Sequence, residues 1–255
     1  MTNYFVGLVF VSAGVLAADE EKEKENPKLP DSDYVVHDVT RPQPRKVKTG
    51  GAVSVAAPSD AKVLFDGKGT EAWNGKWKVE DGILVASPGR LKTKEEFGDC
   101  QLHIEWRVPA DRKVDGQKGG NSGVFLMGKF EVQVLESHRN VTYPDGQAGA
   151  MYGQYPPRVN ASAPHGEWQS YDIIFEAPVY EDGKNVSPAY VTVLHNGVML
   201  HHRKAYQGPS SHKTLSNYKK VLPAKAPLSL QWHKDPIEFR NIWIRELGEY
   251  DTSGE

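Results

Sequence analysis

The sequence predicts an all-β protein, an antiparallel β-sandwich, on three observations. Short runs of alternating apolar and polar residues recur along the chain, turn chemistry separates them, and long helical periodicity is absent. The runs are ILVA (83–86), QLHIEWRV (101–108), GVFLM (123–127), FEVQVL (130–135), YDIIFEA (171–177), AYVTVL (189–194), VMLHH (198–202), LSLQWH (228–233) and EFRNIWI (238–244). Asp81-Gly82 marks a turn, and Asn196-Gly197, between VTVL and VMLHH, is a strong hairpin signal because both residues accept positive φ. KTKEEFG (92–98) offers one helical turn at most.

Composition narrows the classes. The chain has 255 residues and a formal net charge of −2, so one sandwich domain fits its length and no basic footprint for nucleic acid or a membrane surface is present. Neither a G-x-G-x-x-G nor a G-K-[ST] phosphate loop occurs, which argues against a nucleotide enzyme. The single cysteine, Cys100, has no intramolecular partner and reads as a small core residue. Tyr4–Ala18 is an apolar run ending in small residues before DEEKEKENPK, too short to span a bilayer comfortably. It reads as a signal peptide over residues 1–18, which implies a periplasmic or secreted protein with no membrane span after cleavage. Residues 19–60 read as linker and extended arm, with Asp19–Asp31 too charged to order itself and Tyr34–Val47 apolar enough to lie along a folded neighbour. The globular domain is expected over 61–247, followed by a short tail, 248–255.

Strand alternation identifies the polar faces. In FEVQVL, Phe130, Val132 and Val134 point one way while Glu131 and Gln133 point the other, offering a carboxyl and a carboxamide on one sheet face. QLHIEWRV likewise sets His103, Glu105 and Arg107 opposite Leu102, Ile104, Trp106 and Val108. Were these faces contiguous, Glu105, Glu131, Gln133, Gln231, His233, Glu238 and Arg240 would share one sheet, suited to sugar hydroxyls. Plainer readings stand beside this one. Glu105 with Arg107 fits an exposed charge alternation, Arg240 fits a partner for a neighbouring strand, and His233 beside Asp235-Pro236 fits a turn cap. His201-His202 is discounted as a metal pair, because adjacent strand residues face opposite ways. Trp73, Trp77, Trp168 and Trp243 read as core rather than sugar platforms. A two-carboxylate glycosidase strand of the form E-x-D-x-x-E fits poorly, since Gln133 replaces the central acid and Glu136 faces away from Glu131.

The segments LFDGKGTEAW, WKVEDGILVA, LKTKEEFGDCQLHIEWRV, GGNSGVFL, EVQVLES, GAMYG, GEWQSYDI, LHNGV and LQWHKDPIEFRNIWIREL occur in one order across Ala61–Leu247. Together they resemble the 3-keto-disaccharide hydrolase family, and HDVTRPQPRKV resembles a segment that precedes the domain in some members. The resemblance implies a concanavalin A-like jelly roll acting on an oligosaccharide or glycoside oxidised at C3. Its polar signature falls on Asn121, Ser122, Gly123, Glu131, Gln133, Tyr152, Gln231, His233, Glu238 and Arg240.

From these, Glu131 and His233 are the expected catalytic acid and base in either order, and Asn121, Gln133, Tyr152, Gln231, Glu105 and Arg240 the expected substrate-binding residues. A divalent metal polarising the ketone is left open, with Glu131, His233 and Glu105 as candidate ligands. Glycine is common in the family where Lys234 stands, so an altered turn is expected there. The stretches Pro178–Pro188 and Ala205–Lys225 look long and are expected at the mouth of the site. A non-catalytic carbohydrate-binding module, an ordinary β-glycosidase and a structural protein are the alternatives, in that order.

Overall fold

In a computed structural model of the chain, which describes residue 1 and residues 25–248, two antiparallel sheets enclose one apolar core. The expected signal peptide, Met1 aside, and all but the first residue of the expected tail lie outside the described residues. The larger sheet has 8 strands. Val198–Ala205, Tyr190–His195, Gln169–Glu176, Cys100–Arg107, Glu238–Glu246, Ile83–Val85 and Lys78–Glu80 lie side by side in that order, and Lys62–Phe65 also pairs with Glu238–Glu246. The smaller sheet has 5 strands, Trp73–Asn74, Leu91–Phe97, Ala226–Leu230, Ser122–Leu126 and Phe130–Val134, with the last at its edge. This is the all-β, concanavalin A-like jelly roll. Leu102, Ile104 and Trp106 from one sheet and Phe130, Val132 and Val134 from the other are buried in the shared core, so each strand's polar residues are turned to the outer faces.

Three local departures from the sequence expectation have identifiable causes. KTKEEFG forms part of the strand Leu91–Phe97: Leu91, Thr93 and Phe97 are buried and pairing with Ala226–Leu230 overrides the weak strand propensity of lysine and glutamate. The strand carrying LSLQWH ends at Leu230, releasing Gln231 and His233 into the following loop. In EFRNIWI the register against Cys100–Arg107 shifts between Arg240 and Trp243, where Asn241 takes φ 44°. One extra residue reverses the side-chain alternation, so Phe239, Ile242 and Ile244 all reach the core while Arg240 and Trp243 face outward.

The arm is ordered from the first described residues of the segment onward. Leu29 and Val36 are buried, and Leu29 N–H donates to Tyr34 O at 3.0 Å. Arg45–Lys46 pairs in parallel with Val159–Asn160, and residues 52–55 then cross the outer face of the larger sheet. There Val53 N–H donates to Ser170 Oγ (3.0 Å), Ser54 Oγ to Glu105 Oε1 (2.5 Å), and Trp243 Nε1–H to Val55 O (2.9 Å). Trp73, Trp77 and Trp243 are buried, whereas Trp168 is half-buried with the guanidinium groups of Arg107 and Arg240 at 4.6 and 4.1 Å from its ring centre.

Candidate functional site

The hairpin Ser122–Leu126 and Phe130–Val134 builds the floor of a cleft on the outer face of the smaller sheet. Opposed residues in an antiparallel pair share a face, and the pairs Gly123↔Gln133 and Phe125↔Glu131 therefore present Gly123, Phe125, Glu131 and Gln133 together. The cleft has a volume of about 390 Å³ and is also lined by Asn121, Tyr143, Tyr152, Ser210–His212, Gln231, His233 and Arg90.

Glu131 is its chemical centre. It is the only carboxylic acid among the lining residues, and burial pushes its carboxyl up to about 8, with Arg90 pulling the other way. With its amide nitrogen turned toward the carboxyl, the orientation that satisfies both ends, Gln133 donates to Glu131 Oε1 at 3.0 Å and to Ser122 O at 3.2 Å. The edge strand beneath is covered rather than open. Gln133 N–H donates to Ala150 O (3.0 Å), Gly149 N–H to Gln133 O (2.9 Å), and Glu131 N–H to Ser210 Oγ (2.9 Å).

Gly123 makes room for that carboxyl. A Cβ at this position would overlap Glu131 Oε1 and crowd Phe125 Cε2, both across the sheet face. Its φ does not lie in the left-handed region, so the need is for space alone. We expect Gly123→Ala to displace the carboxyl and lower turnover by at least about tenfold, in line with the cost of misplacing a catalytic group. Thermal melts beside kinetics check it, since a loss of activity matched by unfolding would remove the steric account.

Three further elements fix the rim. Asn121 donates from Nδ2 to Gln117 O (3.1 Å) and Gln117 Oε1 (3.0 Å). The loop after Leu230 is held where Ser122 Oγ donates to Gln231 O (2.6 Å) and Gln231 N–H to Gly123 O (3.1 Å). Buried Asp235 accepts from Arg112 Nη2 (2.6 Å) and from the Asn121 backbone N–H (3.2 Å), tying the His233 turn to the cleft floor. Lys234 has φ 68° in this turn, the left-handed conformation that a glycine would take without steric cost. On the opposite rim a hydroxyl chain runs from Tyr143 OH to Tyr152 OH (3.2 Å) and on to His212 Nδ1 (3.0 Å). Burial raises both phenols, Tyr143 to about 12 and Tyr152 further, so both stay protonated; burial chiefly, with His37, Lys213 and His233 nearby, lowers His212.

The structure thus brings together Glu131, His233, Asn121, Gln133, Tyr152 and Gln231. It does not bring Glu105 or Arg240 to them. Both lie on the outer face of the larger sheet, across the core from the cleft, where Arg240 Nε donates to Glu105 Oε2 at 2.7 Å on the neighbouring strand. Glu131, His233 and Glu105 therefore do not converge as a ligand set, and no group of three or more His, Cys, Asp or Glu side chains among the described residues could hold a metal. Glu136 caps a turn, accepting from the backbone N–H groups of His138, Arg139 and Asn140 at 3.0–3.2 Å. His201 is buried with Nε2 at 2.9 Å from Gly149 O while His202 is exposed, as alternation requires. Within Ala205–Lys225, Ser210–His212 line the cleft; Pro178–Pro188 forms a separate hairpin, Val179–Glu181 with Lys184–Ser187, outside the lining. Sequence reading did not single out Arg90, Gln117, Tyr143 or His212, which come from turns and loops with no periodic signal, nor Phe125, which stands in the strand Ser122–Leu126 where an apolar residue reads as core.

A family model described as a 3-keto-alpha-glucoside-1,2-lyase-like domain matches residues 60–245. A candidate glycosyl hydrolase from Parabacteroides distasonis is 42% identical, covering 81% of this chain and 93% of that one with a TM-score of 0.74. Two further candidate glycosyl hydrolases from the same organism, 20% and 22% identical, cover 74% and 73% of this chain and 94% and 99% of their own, each with a TM-score of 0.54, and share the fold. No curated protein matches the chain. Among the described residues no helix is long and apolar enough to cross a membrane.

Proposed function

Because the chain belongs to the 3-keto-alpha-glucoside-1,2-lyase-like family and is a carbohydrate-active enzyme, we propose that its substrates are glycosides oxidised at C3, cleaved by elimination and rehydration. The observation that carries this reading is the single carboxyl of the cleft. Ordinary retaining and inverting glycosidases work with two carboxyl groups across the scissile bond, and here Glu131 has no second acid beside it. A 3-keto-glycoside needs only one strong base. The ketone acidifies the C2 proton; removing it gives an enolate, which expels the aglycone oxygen from C1 and leaves a C1=C2 double bond. Water then adds across that bond, so the sum is hydrolysis to a 3-keto sugar and the free aglycone.

Glu131 is the base in this reading and His233 the acid that protonates the leaving oxygen. A carboxyl lifted to about 8 is a far stronger base than an ordinary carboxylate. The Arg90 guanidinium supplies the donors and positive charge that an enolate oxygen requires, while Asn121 and Gln133, whose amide N–H groups are taken by Gln117 and by Glu131 and Ser122, shape the cleft around it. Tyr152 and Gln231 bind sugar hydroxyls, and Phe125 lies below as an apolar surface with the Arg90 guanidinium 3.9 Å from its ring centre. No step is routed through a metal. The apolar run Tyr4–Ala18 before an acidic segment supports action outside the cytoplasm.

The test is a mass-spectrometric assay of the purified protein on a 3-keto-disaccharide and on its unoxidised parent. Cleavage of the keto-sugar alone is expected. Cleavage of the unoxidised parent would replace the reading with an ordinary glycosidase, and cleavage of neither would leave a sugar-binding module. Recovery of the protein from the periplasm or medium, cut near Ala18, is the result expected of export; an intact N-terminus in the cytoplasm would refute it.

A further inference from the structure

The family domain begins at residue 60, yet one wall of the cleft is backed by the arm that precedes it. His37 inserts behind that wall. Its ring stacks on Tyr143 with centres 4.1 Å apart and planes 27° from parallel, and lies 5.0 Å from the Tyr152 ring and 5.2 Å from that of His212. Val36, fully buried, fills the space next to it, and Gly153, directly after Tyr152, has no Cβ to meet either residue.

His37 is also unusual in conformation and in environment. It has φ 60°, a left-handed backbone that costs a residue with a Cβ free energy and persists only where the surroundings hold it. The hold is visible: the His37 N–H donates to Asp145 Oδ2 at 2.9 Å, and the ring Nδ1 stands 3.4 Å from that same oxygen. Asp145 is wholly buried. Its Oδ1 and both His37 ring nitrogens have no hydrogen-bond partner among the described residues. Among the described contacts, the only hydrogen bond to the Asp145 carboxylate comes from the arm. A domain without the arm would therefore bury this carboxylate uncompensated, directly behind the cleft.

We propose that His37 is a positioning residue of the cleft, carried in by the arm: paired with Asp145, its ring fixes Tyr143 and thereby the Tyr143–Tyr152–His212 chain that receives the sugar. The site is then completed by chain outside the matched family domain, residues 60–245, and the aim of its hydroxyl wall depends on how the arm is seated. The role rests on the proposed reaction only for its kinetic readout.

His37→Gly tests it, since glycine accepts φ 60° without strain and leaves an imidazole-sized space. The variant is expected to melt near the wild type, to lose at least about tenfold in kcat on the 3-keto-disaccharide with a smaller change in KM, and to regain most of that loss with millimolar imidazole. Unaltered kcat and KM, or a loss that imidazole does not restore, would overturn the proposal. Near-UV circular dichroism from the tyrosines reads the same wall without catalysis. A signal changed in His37→Gly and restored by imidazole is expected even if the wild type turns over no keto-sugar, an outcome that would sink the proposed reaction alone. An unchanged tyrosine signal would sink the positioning role.

Discussion

Glu131→Gln is expected to lower kcat on a 3-keto-disaccharide by about 10²–10⁴, the range for removing a general acid or base, while making the protein more stable at alkaline pH. Both effects follow from the same burial. The carboxyl sits in the cleft floor and burial pushes it up to about 8, against an ordinary value near 4.5 in the unfolded chain. Between those values the folded protein keeps a proton that the unfolded chain has released, so stability falls as pH rises, with a limiting slope of about 1.4 kcal/mol per pH unit from this group. Glutamine carries no such penalty. The melting temperatures of wild type and variant should therefore lie closest at pH 4–5 and diverge upward to about pH 8, with the variant higher. Parallel melting curves over that range would show that Glu131 is not held in its neutral form.

The pH–rate profile separates the two roles open to this residue. As the base that removes the C2 proton, Glu131 must be ionised, and kcat/KM in the wild type should rise through about pH 8. As the acid for the leaving oxygen it must be protonated, and kcat/KM should fall through the same region. A rising limb, lost with the activity in Glu131→Gln, would support the assignment of Glu131 as base and His233 as acid.

How much of this was legible beforehand depended on periodicity. The strands Cys100–Arg107, Phe130–Val134 and Tyr190–His195 announce themselves by alternation, and with them the placement of Glu131 and Gln133 on one face. Which sheet a face belongs to is a different matter. Glu105 and Glu131 both oppose an apolar row, but the pairing order sets them on opposite sides of the sandwich, and pairing between strands far apart in sequence leaves no local signal. The bulge at Asn241 was hidden for a related reason, since one extra residue is recognised only against its partner strand. The rim residues Arg90, Tyr143 and His212 stand in loops whose positions follow from tertiary hydrogen bonds such as Tyr152 OH to His212 Nδ1. His37 shows the same limit from the other side: its apolar neighbours predicted that the arm would dock, and nothing in the arm predicted where.

Loss of Glu105 is expected to cost stability rather than activity. Its carboxylate is fully buried and accepts hydrogen bonds from Ser54 Oγ (2.5 Å), Arg240 Nε (2.7 Å) and Asn241 Nδ2 (2.8 Å), with His103 Nε2 at 3.5 Å. His103 Nδ1 stands 2.7 Å from Asp172 Oδ1 on its other side. Burial opposes charge on both Glu105 and His103, and their partners outweigh it: His103, Asn241, Ser54 and Arg240 hold Glu105 down to about 2, while Asp172 and Glu105 hold His103 up to about 9. Glu105→Ala leaves the imidazolium and the guanidinium facing an emptied pocket and frees Ser54 of the arm, at an expected cost of about 3–5 kcal/mol, the range for breaking a buried ion pair. The signs of the two shifts define a pH window for this contribution. The depressed carboxylate contributes fully above about 4.5 and loses its effect as pH falls toward 2; the raised imidazole contributes fully below about 6.5 and loses its effect as pH rises through 9. Urea melts of wild type and Glu105→Ala should therefore differ most between pH 4.5 and 6.5 and converge on either side. At low temperature, where the variant remains folded, its kcat on the keto-sugar should match the wild type, because the network lies across the core from the cleft. A variant that folds normally but binds sugar poorly would reverse this assignment and return Glu105 to the site.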